Sequence, residues 1–271
     1  MKPNAATSPI NVVTSRVSAT GAVSNVDQIR VSVIIPTYNE EGVIASLVTY
    51  LLANPGGAME EVLVVDGGST DQTAAAAQEA GAQVHASPWK GRADQMNHGA
   101  RVARGNVFYF VHADTRPPAG YITDIQDSLR AGYYMGGYRA RFEAVHPLLA
   151  LNSYFSRFNR LTCRGGDQTL FVTRALFNTL NGYDNYYEVM EDFDFIRRAR
   201  RQTRFRIIPR EAEVSARKYQ DNSYGRVTVA NFIVFTMFRL GFSPQQLLRT
   251  YRRMVWYPRS GAKGSVGSER V

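Results

Sequence analysis

The chain has 271 residues, of which 44% are hydrophobic, so it is long enough to bury one substantial core and too short for two full-sized domains with linkers. Its formal net charge of +9 suits nucleic acid, an anionic membrane surface or a phosphorylated ligand, and does not choose among them. The single cysteine, Cys163, excludes an internal disulfide framework and a cysteine-based zinc site, and it favours a reducing, cytoplasmic compartment.

Two segments differ in composition from the rest of the chain. Residues 1–29 are rich in Ser, Thr, Asn, Ala and Val and lack the continuous apolar run of a secretory signal, which predicts a flexible leader. Residues 257–271 have the Gly and Ser content of a flexible tail. Between them we expect a single domain over residues 30–256, with three parts at 30–116, 117–220 and 222–256.

Three short apolar runs, each followed by a polar cluster, alternate with segments of helical composition in the first part of this domain. The runs are 31–35, 61–65 and 107–111, and the helical segments are 42–52, 70–80 and 93–103. This alternation predicts an α/β fold with a mostly parallel sheet and right-handed crossovers. Ligands on such sheets bind at the carboxyl ends of the strands, so the polar clusters are where we expect chemistry.

The alternation weakens after Pro117. The later candidates are strands at 136–142 and 168–172, a helix at 148–161 and a helical region at 222–254. The apolar cluster 232–238 is far shorter than the about 20 residues that a bilayer-spanning helix needs. Two interpretations of it stay open: a helix packed on the sheet, which we favour, or a membrane-surface helix flanked by the arginines at 239, 249, 252 and 253.

The first two polar clusters carry side chains suited to a nucleoside. Pro36 ends the first strand, Tyr38 offers a flat face for a base, and Glu40 offers an acceptor for base or ribose, although such a loop can also be a helix-capping turn. Asp66 precedes two glycines that let backbone approach a ligand. Asp71 lies where a helix is predicted to begin, and we expect it to have a capping role.

The third cluster, His112-Ala-Asp114, is a candidate cation site. Alternate residues leaving a strand point the same way, so His112 and Asp114 could converge on one ion. A divalent ion that bridges a diphosphate is held by only one or two protein carboxylates, and Asp114 is the ligand that we expect.

A fourth cluster, Glu188 to Phe195, is an acidic patch that opens a predicted helix and continues into the arginines of 197–201. Carboxylates at the start of a helix and arginines further along complement its dipole, which is a structural explanation for some of them and need not cover all. Before a strand candidate, Gly165-Gly-Asp167 would permit close backbone approach to a ligand.

In their order and spacing these motifs resemble glycosyltransferase family 2 and, more narrowly, its radical-SAM/selenodomain-associated subgroup. The resemblance extends over residues 31–251 and rests on Pro36-Thr-Tyr-Asn-Glu40, Asp66-Gly-Gly-Ser with Asp71, Gly91-Arg92 through Asn97-His-Gly-Ala100, Ala103-Arg-Gly105, His112-Ala-Asp114 and Glu191-Asp192.

The resemblance implies a GT-A-type, Rossmann-like fold with a helical C-terminal region, and inverting transfer of a sugar from a UDP- or GDP-type donor to an acceptor hydroxyl that the sequence does not identify. It implies that Asp192 is the general base, a role worth about 10²–10⁴ in rate. It assigns the nucleotide to Pro36, Thr37, Tyr38, Glu40, Asp66, Arg92, Asn97, Ala113 and Asp114; the sugar or acceptor to Gly166, Asp167 and Glu191; the diphosphate to Arg217; and Mn²⁺ or Mg²⁺ to Asp114 with His112. The family's metal motif is Asp-x-Asp, and because imidazole suits Mn²⁺ better than Mg²⁺, His112 in its first position predicts a preference for Mn²⁺.

Other classes fit less well. A nucleotidyltransferase would have a Gly-rich basic loop after the first strand, and a dinucleotide oxidoreductase would have G-x-G-x-x-G there; neither is present. A nucleic-acid-binding module is supported by the +9 charge but opposed by the acidic clusters at the strand ends, so we expect no nucleic acid partner. A catalytically inactive sugar-nucleotide binder stays open because of His112. We expect a cytoplasmic enzyme whose C-terminal helices are its candidate contact with the inner membrane surface.

Overall fold

The computed structural model describes residues 29–142, 147–164, 168–215 and 223–255, including their side chains except those of Pro147 and Leu148. The predicted leader and tail lie outside these ranges apart from Ile29, which is buried in the core. The folded domain therefore includes residue 29.

The described residues form an eight-stranded sheet with helices on its two faces. The strands are β1 Val31–Thr37, β2 Met59–Asp66, β3 Gln83–Ala86, β4 Val107–Phe110, β5 Thr115–Arg116, β6 Met135–Phe142, β7 Leu170–Thr173 and β8 Phe205–Val214. The helices are α1 Glu41–Ala53, α2 Thr73–Glu79, α3 Arg92–Val102, α4 Tyr121–Arg130, α5 Pro147–Phe155, α6 Arg174–Thr179, α7 Glu191–Ala199, α8 Tyr224–Arg239 and α9 Pro244–Met254, with a 3₁₀ turn at Leu161–Cys163.

The strand order across the sheet is β3-β2-β1-β4-β7-β6-β8-β5. The first four strands in this order are parallel, β7 is antiparallel to both of its neighbours, β6 and β8 are parallel, and β5 is antiparallel to β8. The predicted α/β fold is confirmed, with a sheet that is parallel over four strands and mixed beyond them.

Two hydrophobic cores lie on opposite faces of the sheet because successive strand residues point to opposite sides. Val33 and Ile35 of β1 pack into one core with α1, α2 and α4, and Ile34 between them packs into the other with α3, α6 and α7. Burial on both faces explains why β1 is mostly apolar and β-branched and does not alternate strictly between polar and apolar residues; its two polar residues, Ser32 and Thr37, are buried as well.

The region 222–254, predicted to be helical, is divided into α8 and α9. Gly241, at φ +83°, allows the reversal between them, and Ser243 begins α9 with a capping box that Gln246 completes. Helix α8 packs mainly against α9 and α5. Phe142 of β6 packs against the small cluster that contains Val227 and Ala230 of α8, so this helix meets the sheet at β6, and Val234 and Phe238 are buried in a second small cluster. Within the described ranges, no helix is long and apolar enough to cross a bilayer.

Gly99 allows helix α3 to lie close to the sheet, so adding a side chain at this position should destabilise the protein. A Cβ at this position would lie 2.5 Å from Ile34 Cγ2 and 3.0 Å from Val65 Cγ2, both in the core. We expect Gly99→Ala to lower the free energy of unfolding by about 1–3 kcal/mol, measured by chemical denaturation. Gly42→Ala is the matched control, because its Cβ would meet open space, and it should cost nothing. Equal stability of the two variants would show that α3 can shift away from the sheet freely.

Candidate active site

The loops that follow β1, β2 and β4 meet at one edge of the sheet. Thr37 lies opposite Asp66 in the parallel pair β1–β2, and Ile34 lies opposite Phe110 in the parallel pair β1–β4. The carboxyl ends of the three strands therefore share an edge, where ligands of such sheets bind. The predicted nucleotide residues at the strand ends or in these loops are Pro36, Thr37, Tyr38, Glu40, Asp66, Ala113 and Asp114.

Asp66 shapes the loop after β2 through hydrogen bonds within that loop. Its carboxylate Oδ2 accepts from the backbone N–H groups of Gly68, at 3.0 Å, and Ser69, at 2.9 Å, and its Oδ1 accepts from the Ser69 hydroxyl. The Asp66 side chain is buried. These bonds fix the conformation of the two-glycine loop, in which Gly67 is buried and Gly68 is exposed, so Asp66 has a structural role in addition to the predicted ligand contact.

The loops after β1 and β2 are bound to each other through Asn39, whose φ is +54°. The Asn39 carboxamide oxygen accepts from Thr70 N at 2.9 Å, and its backbone N–H donates to Ser69 Oγ at 2.9 Å. One residue later, Glu40 N donates to Thr73 Oγ1 at 2.7 Å. Tyr38 and Glu40 are half-buried at this junction. The two joined loops form one rim of the candidate site.

Gln95 of α3 is a buried residue of the site edge that the sequence analysis did not identify. Its amide nitrogen donates to the carbonyl oxygens of Thr37, at 2.7 Å, and Val65, at 2.8 Å. Both carbonyls lie near the ends of β1 and β2, where the hydrogen bonding between strands ends, so Gln95 supplies a donor to each of them. The sequence contained one signal for it: Gln95 lies next to Ala93 and Met96, which are on the buried face of α3. A polar side chain in that position needs hydrogen-bond partners inside the protein.

The candidate cation ligands lie in the turn between β4 and β5. His112 is buried and Asp114 is half-buried, and the turn is closed by the N–H of Thr115, which donates to the His112 carbonyl at 3.0 Å. The Asp114 carbonyl accepts from Ser215 N at 2.9 Å, which joins this turn to the end of β8. Asp114 is therefore held in place by its backbone while its carboxylate remains partly exposed.

A metal site made wholly of protein ligands is not formed by the described residues, which contain no group of three or more His, Cys, Asp or Glu able to hold an ion. The residues fit a different type of site. Divalent ions that bind phosphates take one or two protein carboxylates and complete their shell with phosphate oxygens and water. Asp114, partly exposed at the carboxyl edge of the sheet, fits that requirement.

Three carboxylates lie in the first turn of α7, and the structure gives them different partners. Asp194 accepts hydrogen bonds from Arg197 Nη2 at 2.8 Å and from Arg198 Nε at 2.6 Å, which confirms the structural role expected at the start of this helix. Glu191 lies 2.8 Å from Arg92 Nε. Asp192, which is 7% exposed, lies between these two in sequence and lines a cavity.

The ion pair between Arg92 and Glu191 joins the N-terminus of α3 to the N-terminus of α7. Arg92 is half-buried and Glu191 is buried. The predicted nucleotide contact of Arg92 would be made by a guanidinium that already has a carboxylate partner. The pair also brings the acidic turn of α7 next to the edge that Gln95 and the β1 loop form.

Tyr183 is a second site residue that the sequence analysis did not identify. Burial, and then the negative charges of Asp192 and Glu191, hold the pKa of the Tyr183 hydroxyl well above its usual range. Asn97 binds the backbone of Tyr183 on both sides: its Oδ1 accepts from Tyr183 N at 2.9 Å, and its Nδ2 donates to Tyr183 O at 2.8 Å. Asn97, predicted to contact nucleotide, therefore positions Tyr183 beside the carboxylates.

A cavity of about 1100 Å³ opens beside these carboxylates. It lies between α5, α8 and the start of α7, and it is lined by polar groups that include Arg92, Glu191 and Asp192 and by several aromatic side chains. A buried carboxylate that lines a large cavity with apolar walls is placed to contact a ligand bound there. Three predicted site residues, Gly166, Asp167 and Arg217, lie outside the described residues.

The chain matches the family model described as Glycosyl transferase family 2 over residues 32–177. Among curated proteins it is similar to the PGL/p-HBAD biosynthesis glycosyltransferase of Mycobacterium bovis (strain BCG / Pasteur 1173P2), with 28% identity over 180 residues that cover 60% of this chain and 67% of that protein.

Solved structures of glycosyltransferases share the fold. The mannosyltransferase PcManGT from Pyrobaculum calidifontis, in complex with GDP-Man and Mn²⁺, superimposes with a TM-score of 0.62 at 20% identity, covering 83% of this chain and 68% of that one. Glucosyl-3-phosphoglycerate synthase from Mycobacterium tuberculosis, in complex with Mn²⁺, UDP and phosphoglyceric acid, superimposes with a TM-score of 0.55 at 17% identity, covering 80% of each chain. These likenesses confirm the GT-A-like fold.

Proposed function

This chain belongs to glycosyl transferase family 2, and we propose that it is an inverting enzyme that moves a sugar from a nucleoside-diphosphate sugar to an acceptor hydroxyl. Membership of the family makes it a glycosyltransferase; the inversion, the base and the narrower subgroup, the radical-SAM/selenodomain-associated transferases, belong to the proposal. Similar structures contain GDP-Man or UDP with Mn²⁺, which supports a donor of UDP or GDP type.

The observation that carries the proposal is the position of Asp192. Its side chain is only 7% exposed, it lines the large cavity, and its carboxylate lies beside the buried hydroxyl of Tyr183. In the proposed reaction Asp192 takes the proton from the acceptor hydroxyl while that oxygen attacks the anomeric carbon. The bond from that carbon to the diphosphate oxygen breaks, and the nucleoside diphosphate leaves with the bonding electrons. A single displacement of this kind inverts the anomeric centre.

The donor would bind at the carboxyl edge of the sheet. We assign the nucleoside to the joined loops after β1 and β2, with Tyr38 and Glu40 at the rim, because their geometry is fixed by the bonds of Asp66 and Asn39 before any ligand arrives. Asp114, with His112 beside it, would hold Mn²⁺ or Mg²⁺, which when bound offsets the charge developing on the leaving diphosphate.

Three assignments of the proposal concern residues outside the described ranges. Gly166 and Asp167 would face the donor sugar or the acceptor, and Arg217 would contact the diphosphate. The support for these three roles is the resemblance of the sequence motifs to those of the family.

Calorimetric titration of UDP and GDP, each with and without Mn²⁺, tests the proposed function directly. We expect one of the two nucleotides to bind in a metal-dependent way and the corresponding sugar nucleotides to be turned over. Binding without turnover of any sugar nucleotide would favour a catalytically inactive sugar-nucleotide binder. If neither nucleotide binds under any condition, the donor site is wrong, and a steep salt-dependent affinity for DNA or RNA would then favour a nucleic-acid-binding protein.

We also propose that the enzyme works in the cytoplasm and contacts the inner membrane surface through α8 and the turn after it. The exposed apolar side chains Phe232, Leu240 and Phe242 support this contact, together with Arg239 beside them. Cosedimentation with anionic vesicles, compared with neutral ones, is the measurement that decides it.

A further inference from the structure

The cavity next to Asp192 has aromatic walls from two directions. Phe155 and Phe158, whose ring centroids are 6.1 Å apart, come from the end of α5 and the segment after it, and Phe232 and Phe235 come from α8. Phe232 is 72% exposed, and Phe155 and Phe158 are also exposed. The volume of about 1100 Å³ lies slightly above the roughly 300–1,000 Å³ typical of small-molecule sites. Exposed apolar surface of this extent beside a catalytic carboxylate marks a binding groove for an apolar ligand.

The charged side chains that line the same cavity are mostly cationic. Glu191 is paired with Arg92, whereas Arg160, Arg164 and Arg239 also line the cavity and form no ion pair with a described carboxylate. The cavity therefore favours an anionic ligand over a cationic one.

Arg164 is the strongest sign of that preference, because it is only 2% exposed. Its Nη2 donates to the carbonyl oxygens of Ser156 and Phe158, while its Nε and Nη1 have no hydrogen-bond partner within the structure described. Burial lowers the pKa of the Arg164 guanidinium to about 10, so it is still charged at neutral pH. Among the described residues Arg164 has no counter-charge; a buried charge of this kind is costly, and an anion in the cavity would offset that cost.

We propose that the acceptor is a phosphate-bearing amphiphile that lays its alkyl or isoprenoid chain against the aromatic walls, places its anionic group near Arg164 and presents its hydroxyl to Asp192. This inference rests on the proposed function and names the acceptor class of the same site. The alkyl or isoprenoid chain would contact the apolar walls, and the phosphate would lie near the guanidinium of Arg164, which has no ion-pair partner among the described residues. A free phosphate would make only the second contact.

Calorimetry with a series of simple probes tests the inference. The probes are inorganic phosphate, hexyl, octyl and decyl phosphate, and decyltrimethylammonium, each below its critical micelle concentration. We expect affinity to rise up to about fourfold per added methylene, the factor for burying one CH₂. We expect decyl phosphate to bind at least about tenfold more tightly than the ammonium probe of equal chain length, because the cavity cations repel the latter.

Two exposed residues of α8 provide a matched pair of variants. Phe232→Ser removes an aromatic wall and should lower the affinity for decyl phosphate about tenfold or more, since burial of such a side chain is worth that much. Val229→Ser removes an exposed apolar residue that does not line the cavity, and it should leave the affinity unchanged. Arg164→Met should remove the preference for phosphate over ammonium. If this variant does not fold, decyl phosphate and decyltrimethylammonium on the wild-type protein still decide whether the cavity prefers an anion to a cation.

Metal-dependent UDP or GDP binding, measured in the same samples, separates this inference from the proposed function. Nucleotide binding without any binding of alkyl phosphates overturns the acceptor class alone. Equal affinity for inorganic phosphate and decyl phosphate overturns the proposed contact of the alkyl chain with the aromatic walls. An equal loss of affinity in Phe232→Ser and Val229→Ser overturns the placement of that chain in this cavity. Absence of both nucleotide and amphiphile binding overturns the two proposals together.

Discussion

Replacing Asp192 with asparagine is expected to lower donor turnover about 10²–10⁴-fold, because a positioned general base contributes that much and a carboxamide cannot take up the proton. Asparagine keeps the size of the side chain at a position that is 7% exposed in the first turn of α7. Nucleotide affinity and thermal stability should therefore stay close to those of the wild-type protein. The measurement is release of nucleoside diphosphate from the sugar nucleotide whose base binds, with the Kd measured in parallel.

Two neighbouring carboxylates give the controls for this prediction. Asp194→Asn weakens the hydrogen bonds to Arg197 and Arg198 and should cost about 1.5–3 kcal/mol of stability, as expected for bonds to a charged group. Asp184→Asn changes an exposed carboxylate whose Oδ1 accepts from Tyr186 N, and it should be close to neutral in activity and stability. Full turnover in Asp192→Asn would remove this residue from the proposed mechanism.

Replacing Asp114 with asparagine is expected to remove the dependence of nucleotide binding on the metal, with a loss of affinity in the presence of Mn²⁺ of about 10²-fold or more. The reason is that Asp114 is the carboxylate at the β4–β5 turn on which the proposed cation would depend. Titration of the nucleotide against wild type and variant, with and without Mn²⁺, measures this. Glu60→Gln is the control, because it removes a carboxylate near the opposite end of β2. An unchanged metal dependence in Asp114→Asn would place the cation elsewhere.

The family's metal motif is Asp-x-Asp, and His112 stands where its first aspartate would be. Its role can be tested by comparing activation by Mn²⁺ and by Mg²⁺. Restoring the family's Asp-x-Asp pattern with His112→Asp replaces an imidazole with a hard oxygen ligand, so we expect the ratio of Mn²⁺ to Mg²⁺ activation to fall. If His112→Asp leaves this ratio unchanged while Asp114→Asn abolishes metal dependence, His112 does not touch the metal.

The strands that carry the site could be predicted from the sequence, and some supporting elements could not. Most residues of β1, β2 and β4 are buried, so each strand contains a mostly apolar run that stands out from its surroundings. β8 contains Pro209 and the charged residues of an exposed face, which hide its strand pattern. Helix α4 has an amphipathic spacing of Ile122, Ile125 and Leu129 that a search at the helical period would have found.

The sequence alone determined the family, the α/β fold and the polar clusters at which chemistry should be sought, because these follow from local pattern, strand order and motif spacing. Only the tertiary structure decided what the side chains in those clusters do. Asn97 and Tyr183 are 86 positions apart, and Arg92 and Glu191 lie on different helices. The positions of Glu191 and Asp192 at the cavity, and the distance of Asp194 from it, depend on such pairings. A hydrogen bond or ion pair requires its two groups within about 3 Å, and sequence spacing does not report that distance for groups on separate elements.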